Sequence, residues 1–154
     1  MESGRAIELR IVGEGPQARL LRQQVQALGL EDVVSFLGFK HTSEVSSLLS
    51  SSHALAVSSD YETFGIPLIE AMAAGKPVIS TACGGPEHII TRESGVLVPV
   101  GDDDLFAEAI CKMIDEYRSY DPGRIRQLAV ERFGMDRIMT ELIEENYRPP
   151  SNAR

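Results

Sequence analysis

Short apolar runs separated by stretches with helical spacing set the strongest limit on what this chain can fold into. The first is Ile7–Val12, where Ile7, Leu9 and Ile11 alternate with Glu8 and Arg10. It reads as a strand ending in the turn Gly13-Glu14-Gly15-Pro16. From Pro16 to Leu28, Leu21, Val25 and Leu28 share one helical face, and Gly29 stops the helix. Val33–Leu37 is a second strand, closed by Gly38. Thr42 or Ser43 can cap a helix that turns Val45, Leu48 and Leu49 inward. Ala54–Val57, Pro77–Ser80 and Gly95–Val100 complete the strands. A helix from Pro67 to Gly75 and the glycine turn Cys83-Gly84-Gly85-Pro86 fall between them, and a helix from Asp103 to Tyr117 follows. Beyond Asp121 the alternation stops. Two helical stretches follow without a strand, Gly123–Phe133 and Asp136–Tyr147, and then a frayed tail, 148–154.

Strand–helix alternation of this kind predicts an α/β protein, a doubly wound parallel sheet of Rossmann-like type with C-terminal helices. The chain has 154 residues, a length that fits one domain, here 1–147. In such sheets ligands sit beyond the carboxyl ends of the strands. Three turns qualify: Gly13–Pro16, Gly38–Thr42 and Ser58–Ile66. The net charge of −8 argues against a nucleic-acid partner, whose phosphates want a basic surface. It also means that any anionic ligand must be favoured locally. Cys83 and Cys111 lie far apart with no ligand at metal spacing. They are expected to be reduced, Cys111 in the core and Cys83 in a loop. No signal pattern opens the chain and no apolar run reaches spanning length, so a cytoplasmic protein without a transmembrane segment is expected. Peripheral membrane contact would then fall to the rest of a longer enzyme.

The longest of the three turns leads into Glu62-Thr63-Phe64-Gly65-Ile66-Pro67-Leu68-Ile69-Glu70. Gly65 lets a ligand approach the backbone. Pro67 starts a helix, so nearby N–H groups lack intrahelical partners and suit a phosphate. The carboxylates of Glu62 and Glu70 would repel that phosphate on contact. They make sense facing hydroxyls, because a carboxylate can hold a vicinal diol. One segment could then hold sugar, diphosphate and ribose in a row. Two solvated glutamates would be the plain alternative. Their setting, at a strand end with Phe64-Gly65 between them, argues against it.

The same segment resembles the E-x7-E motif of family 4 (group 1) retaining glycosyltransferases, enzymes of the GT-B fold. Ile11-Val12-Gly13-Glu14-Gly15-Pro16 is similar to that family's VG-[DE]-GP turn, and Phe36-Leu37-Gly38-Phe39 to its FLG-[FY] strand end. Ala71–Ile79, Gly84-Gly85-Pro86-Glu87 and Gly95–Pro99 continue the likeness, which covers about 7–147. The resemblance implies the C-terminal, donor-binding half of such an enzyme. It places Glu62 by the donor sugar as the catalytic-site residue, with the backbone of Phe64, Gly65 and Ile66 facing sugar and distal phosphate. It places Ile69 and Glu70 at the ribose, Gly13, Glu14 and Gly15 near the phosphates, and Phe39 and Lys40 beside the base. The implied donor is a UDP-, GDP- or ADP-sugar, and the implied chemistry is glycosyl transfer to an acceptor hydroxyl with retention. No metal or other cofactor is expected.

The family's domain opens with a strand followed by an arginine and a lysine that bind the diphosphate. Here the first strand leads straight into Gly13–Pro16, so that pair, its strand and its helix are expected to be missing. Met1–Arg5 then reads as a start on a truncated segment, with the acceptor-binding N-terminal domain also absent. Lys76, behind the far end of the Pro67 helix, is a poor substitute. The chain alone is expected to bind nucleotide weakly and to transfer nothing. Two other readings stay open: an interaction module that needs a partner half, and a fragment of a GT-B sugar-nucleotide epimerase. Asp102-Asp103-Asp104 is read as a helix cap. His88 is either a cover on the site or part of a structural turn, His41 and His53 are surface or packing residues, and Tyr61 is either a pocket wall or a loop aromatic.

Overall fold

The computed structural model describes residues 7–134. The expected helix Asp136–Tyr147, the tail 148–154 and Met1–Arg5 lie outside the described residues. The chain divides into two compact units, Met1–Val45 and Ser46–Arg154.

In the first unit, β1 (Leu9–Val12) and β2 (Val34–Gly38) are joined by α1 (Ala18–Ala27). The strands are parallel, with Leu9 opposite Val34 and Ile11 opposite Phe36. A parallel pair needs a crossover, and α1 supplies it. An irregularity after Ile11 brings Val12 opposite Gly38. The Arg22 guanidinium of α1 lies 4.5 Å above the Phe36 ring, a cation–π contact that seats the helix on β2. Parallel strands are ordinarily covered on both faces. Here no described residue of the unit is buried, and Leu9 and Val12 remain 48% and 44% exposed.

The division between units falls inside α2 (Thr42–Ser51). This helix differs from expectation at its start. Thr42 already belongs to it, and the His41 N–H before it donates to the Glu44 carboxylate at 3.0 Å.

The second unit holds β3 (Leu55–Val57), α3 (Ile66–Ala73), β4 (Val78–Thr81), α4 (Gly85–Ile89) and β5 (Gly95–Val98). It continues with α5 (Asp103–Glu116), a 3-10 turn (Tyr117–Ser119) and α6 (Pro122–Phe133). Its sheet runs β3-β4-β5, all parallel. All four residues of the central strand β4 are buried, so both faces of that strand are covered. Ile79 and Val98 pack with Ala109 and Met113 of α5. On α3, Leu68, Ala71 and Met72 are buried, and the helix packs on α6 through a set that includes Ile125, Leu128 and Ala129. The expected α/β layering with parallel strands is therefore present, delivered as two sheets.

Asp102 caps α5 as expected, its carboxylate accepting the Leu105 N–H at 3.0 Å. Asp121 does the same for α6 through the N–H groups of Gly123 and Arg124. Caps of this kind stabilise a helix by about 1 kcal/mol each. Of the two cysteines, Cys83 lies in a loop as expected, while Cys111 is not in the core. Cys111 is exposed and Cys83 is buried, both as free thiols. Ala109 and Met113 point inward from α5, and Cys111, two residues from each, falls on the opposite face. No helix among the described residues is long and apolar enough to cross a membrane.

Candidate functional site

In the first unit the turns after β1 and β2 are neighbours, because their strands pair in parallel. The Gly13 N–H donates to the Gly38 carbonyl at 2.8 Å. A Cβ placed on Gly38 would lie 3.3 Å from a Glu14 carboxylate oxygen, so Glu14 stands over that second turn. Gly13 and Gly15 have open space where a side chain would be. Phe39 is exposed and meets the His41 ring edge-on at 5.2 Å. Lys40 is paired with Glu44 at 3.2 Å. The His41 N–H and then Lys40 hold the Glu44 carboxyl below its ordinary range. The structure thus collects Gly13, Glu14, Gly15, Phe39 and Lys40 at one pair of strand ends.

In the second unit the 62–70 segment follows β3 and is held from beneath by the turn after β4. The Glu62 N–H donates to the Cys83 carbonyl at 3.2 Å, and the Gly85 N–H donates to the Glu62 carbonyl at 2.7 Å. These two bonds form a parallel bridge between Glu62 and Gly84. The Thr81 hydroxyl adds a tie to the Ser59 carbonyl. Gly85 presses against Phe64 so closely that a Cβ would stand 2.7 Å from the Phe64 carbonyl carbon. The turn itself is α4, a short helix where only a glycine turn was expected. The Glu87 carboxylate accepts the Gly84 N–H at 2.8 Å. Arg132 of α6 donates to the carbonyls of His88 and Ile89 at the other end of α4. His88 is exposed and sits in the last turn of α4, with its carbonyl held by Arg132.

Gly65 is the N-cap of α3, with φ +86°, a left-handed conformation suited to glycine. The Glu62 side chain turns back over this cap. A single carboxylate oxygen, Oε1, accepts the N–H of Phe64 at 3.2 Å and of Gly65 at 3.1 Å. These two N–H groups lack intrahelical partners, as expected, but both are occupied by the Glu62 side chain. Leu68 and Ile69 donate to the Gly65 carbonyl, and Pro67 has no N–H to give. The Ile66 N–H is the first-turn donor with no partner among the described residues. Helical spacing puts Ile66, Ile69 and Glu70 on the side away from the buried Leu68, Ala71 and Met72. Ile66 and Phe64 are exposed, while Ile69 and Glu70 are half-buried. Tyr61 is exposed beside them.

A cavity of about 300 Å³ lies at the carboxyl ends of β3, β4 and β5, with Ser58, Asp60, Thr81, Asp102 and Phe106 in its wall. None of the residues from Glu62 to Glu70 lines it. The 62–70 segment alternates exposed, half-buried and buried residues, and its chemistry, not concavity, singles it out. Sequence reasoning missed Gly85 and Glu87 as supports of this segment. The Pro86-Glu87 pair after Gly84 carries the signal that could have found them, proline in the first helical turn and glutamate at its third position.

The family model described as glycosyl transferases group 1 matches residues 2–125. N-acetyl-alpha-D-glucosaminyl L-malate synthase of Bacillus anthracis is 36% identical over 137 residues, 87% of this chain and 35% of that protein. Among solved structures, Anabaena Alr3699/HepE in complex with UDP superposes with a TM-score of 0.80 at 27% identity, covering 90% of this chain and 40% of that one. The same protein with UDP-glucose gives 0.78 at 29% identity, covering 89% and 40%. Sucrose-phosphate synthase from Thermosynechococcus elongatus gives 0.78 at 31% identity, covering 89% and 37%. The chain therefore spans well under half the length of each of these proteins.

Proposed function

This chain belongs to the group 1 glycosyl transferases, and from that premise we propose that its 62–70 segment binds the nucleoside-diphosphate sugar from which a retaining, family 4 enzyme transfers a glycosyl group. The observation that carries the reading is the layout of the segment. A half-buried acidic side chain stands at each end, and between them lies a helix start with Phe64 and Ile66 exposed and Gly65 buried. Glu62 faces the sugar hydroxyls and is the catalytic-site residue. The backbone at Phe64, Gly65 and Ile66 meets the distal phosphate. Glu70 takes the ribose diol, with Ile69 packed beside it. The UDP and UDP-glucose held by the Anabaena structures support a donor of this class.

In the proposed reaction the bond from the anomeric carbon to the diphosphate oxygen breaks, and a bond to the acceptor oxygen forms on the same face. The acceptor's proton passes to the departing diphosphate, so no protein nucleophile is used. The electrostatic task is to stabilise the leaving diphosphate. A helix start at a surface contributes on the order of 1 kcal/mol to that task. We therefore assign acceptor binding and most of the catalytic power to protein outside this chain, and expect the chain alone to bind donor without transferring it. The reading draws on no metal.

The test is a thermal-shift screen with UDP, GDP, ADP and their sugars, followed by calorimetry on the best of them. One base is expected to stand out. Glu70→Ala is expected to weaken that nucleotide about tenfold, the loss of one charge-assisted hydroxyl contact. A flat screen, or a Glu70→Ala protein with undiminished affinity, would overturn the assignment.

A further inference from the structure

We propose that Glu62 is a carboxylate latch on this segment, occupying the phosphate's N–H groups until the donor arrives and then moving onto the sugar. The proposal rests on the donor-site reading above. Its own observation is that Oε1 of Glu62 already accepts from Phe64 and Gly65, at 3.2 and 3.1 Å. Pro67, Leu68 and Ile69 offer nothing further, since the first lacks an N–H and the others donate to Gly65. An incoming phosphate therefore finds the Ile66 N–H alone, next to a full negative charge. Bound as the chain stands, it would have one donor and a like-charge neighbour.

The local architecture lets the latch move without disturbing the backbone. The Glu62 main chain is pinned on both sides, to the Cys83 carbonyl and the Gly85 N–H. The side chain is half-buried and is held to the protein through one oxygen, the other having no partner among the described residues. Rotation about its own bonds releases the Phe64 and Gly65 N–H groups together. A phosphate oxygen can then take both, with Ile66 as a third donor, in the arrangement that suits an anion at a helix start. The freed carboxylate needs new donors, and sugar hydroxyls beside the phosphate supply them. The exchange conserves hydrogen bonds only when phosphate and sugar arrive together. A bare nucleoside diphosphate, a product of the proposed transfer, would displace the latch without offering it a partner. The device therefore discriminates against product in favour of donor.

The experiment is calorimetric titration of the wild-type chain, Glu62→Ala and Glu62→Gln with UDP and UDP-glucose, with the GDP and ADP pairs in parallel. Glu62→Ala is expected to bind the bare diphosphate about tenfold more tightly, equivalent to ~1.4 kcal/mol. Its preference for the sugar nucleotide over the diphosphate should shrink. Glu62→Gln keeps an oxygen for the N–H groups and loses the charge, so its gain should be smaller. It also keeps the test decisive should the alanine variant fold poorly. If both folded variants bind diphosphate no better than wild type, the latch is wrong while the donor site stands. If no form binds any of the three diphosphates or their sugars, the donor-site reading itself falls, and the latch with it.

Discussion

Gly95→Ala is expected to cost about 3–5 kcal/mol of stability, measured as a drop in the urea midpoint, and to abolish cooperative unfolding of the second unit if the loss exceeds its reserve. Gly95 sits directly opposite Val78 in the β4–β5 ladder. A Cβ there would lie 1.9 Å from the Val78 carbonyl oxygen and 2.9 Å from a Val78 methyl group. The first contact is with backbone, so no side-chain rotation relieves it. The strand cannot retreat easily either. The Val78 N–H donates to the Ser94 carbonyl at 3.0 Å, and the Thr91–Ser94 turn before β5 is fastened by the buried Ser94 hydroxyl. Val78, Ile79 and Val98 are all buried around the contact, so a shift spreads into close-packed surroundings. Gly15→Ala provides the control, since nothing lies within 4 Å of its added carbon and little change in stability is expected. A Gly95→Ala protein as stable as the parent would contradict the β4–β5 register.

Gly85→Ala should separate folding from binding. Its new carbon would meet the Phe64 carbonyl carbon, Cα and nitrogen at 2.7–2.8 Å. Ordinary contact begins near 3.4 Å, so Phe64 must move by several tenths of an ångström at least. The glycine is itself held in place, by its N–H bond to the Glu62 carbonyl and by the Glu87 clamp on Gly84. The displacement therefore falls on the Glu62–Gly65 segment. A stability loss of about 1–3 kcal/mol is expected, in line with other overpacked sites. Nucleoside-diphosphate affinity should fall further than stability alone explains, on the order of tenfold to a hundredfold, because a small misplacement of binding groups is costly. Calorimetry on the folded variant gives the answer. Unchanged affinity would show that the Phe64–Ile66 backbone is not where the diphosphate sits.

The periodicities that carried the fold were local ones, and locality explains what they revealed. Alternation in Ile7–Ile11 and the helical spacing of Leu68, Ala71 and Met72 follow from backbone geometry alone, and the elements form where those patterns lie. The Asp102 cap is equally local, three residues from its donor. What stayed hidden depends on distant chain. That β1 and β2 form one sheet and β3, β4 and β5 another is a matter of strand pairing, which strand composition does not encode. Cys83 is buried by its place after the central strand of the second sheet, so its loop character gave no warning. The candidate site divides along the same line. The positions of Glu62, Gly65 and Glu70 around a helix start were legible from spacing. The direction of the Glu62 carboxylate, back onto Phe64 and Gly65, was not, because a flexible side chain has several staggered choices that the sequence leaves open. The support from Gly85 comes from twenty-one residues beyond Phe64, outside any local window.

The two thiols, one exposed and one buried, give the molecule an internal clock. Cys111 faces solvent, so a thiol reagent meets it at the rate of ordinary encounter. Cys83 is buried, its sulfur lies 3.5 Å from the Thr81 hydroxyl oxygen, and its carbonyl accepts the Glu62 N–H. The residue is only 9% exposed, and opening of the bridge beneath Glu62 is expected to be its main route to a reagent. The slow phase of labelling therefore counts local openings, and the ratio of the two phases converts a static burial into a frequency. A ligand seated on Glu62 and Gly65 would lengthen that slow phase without touching the fast one, so occupancy could be timed with no label placed in the site itself.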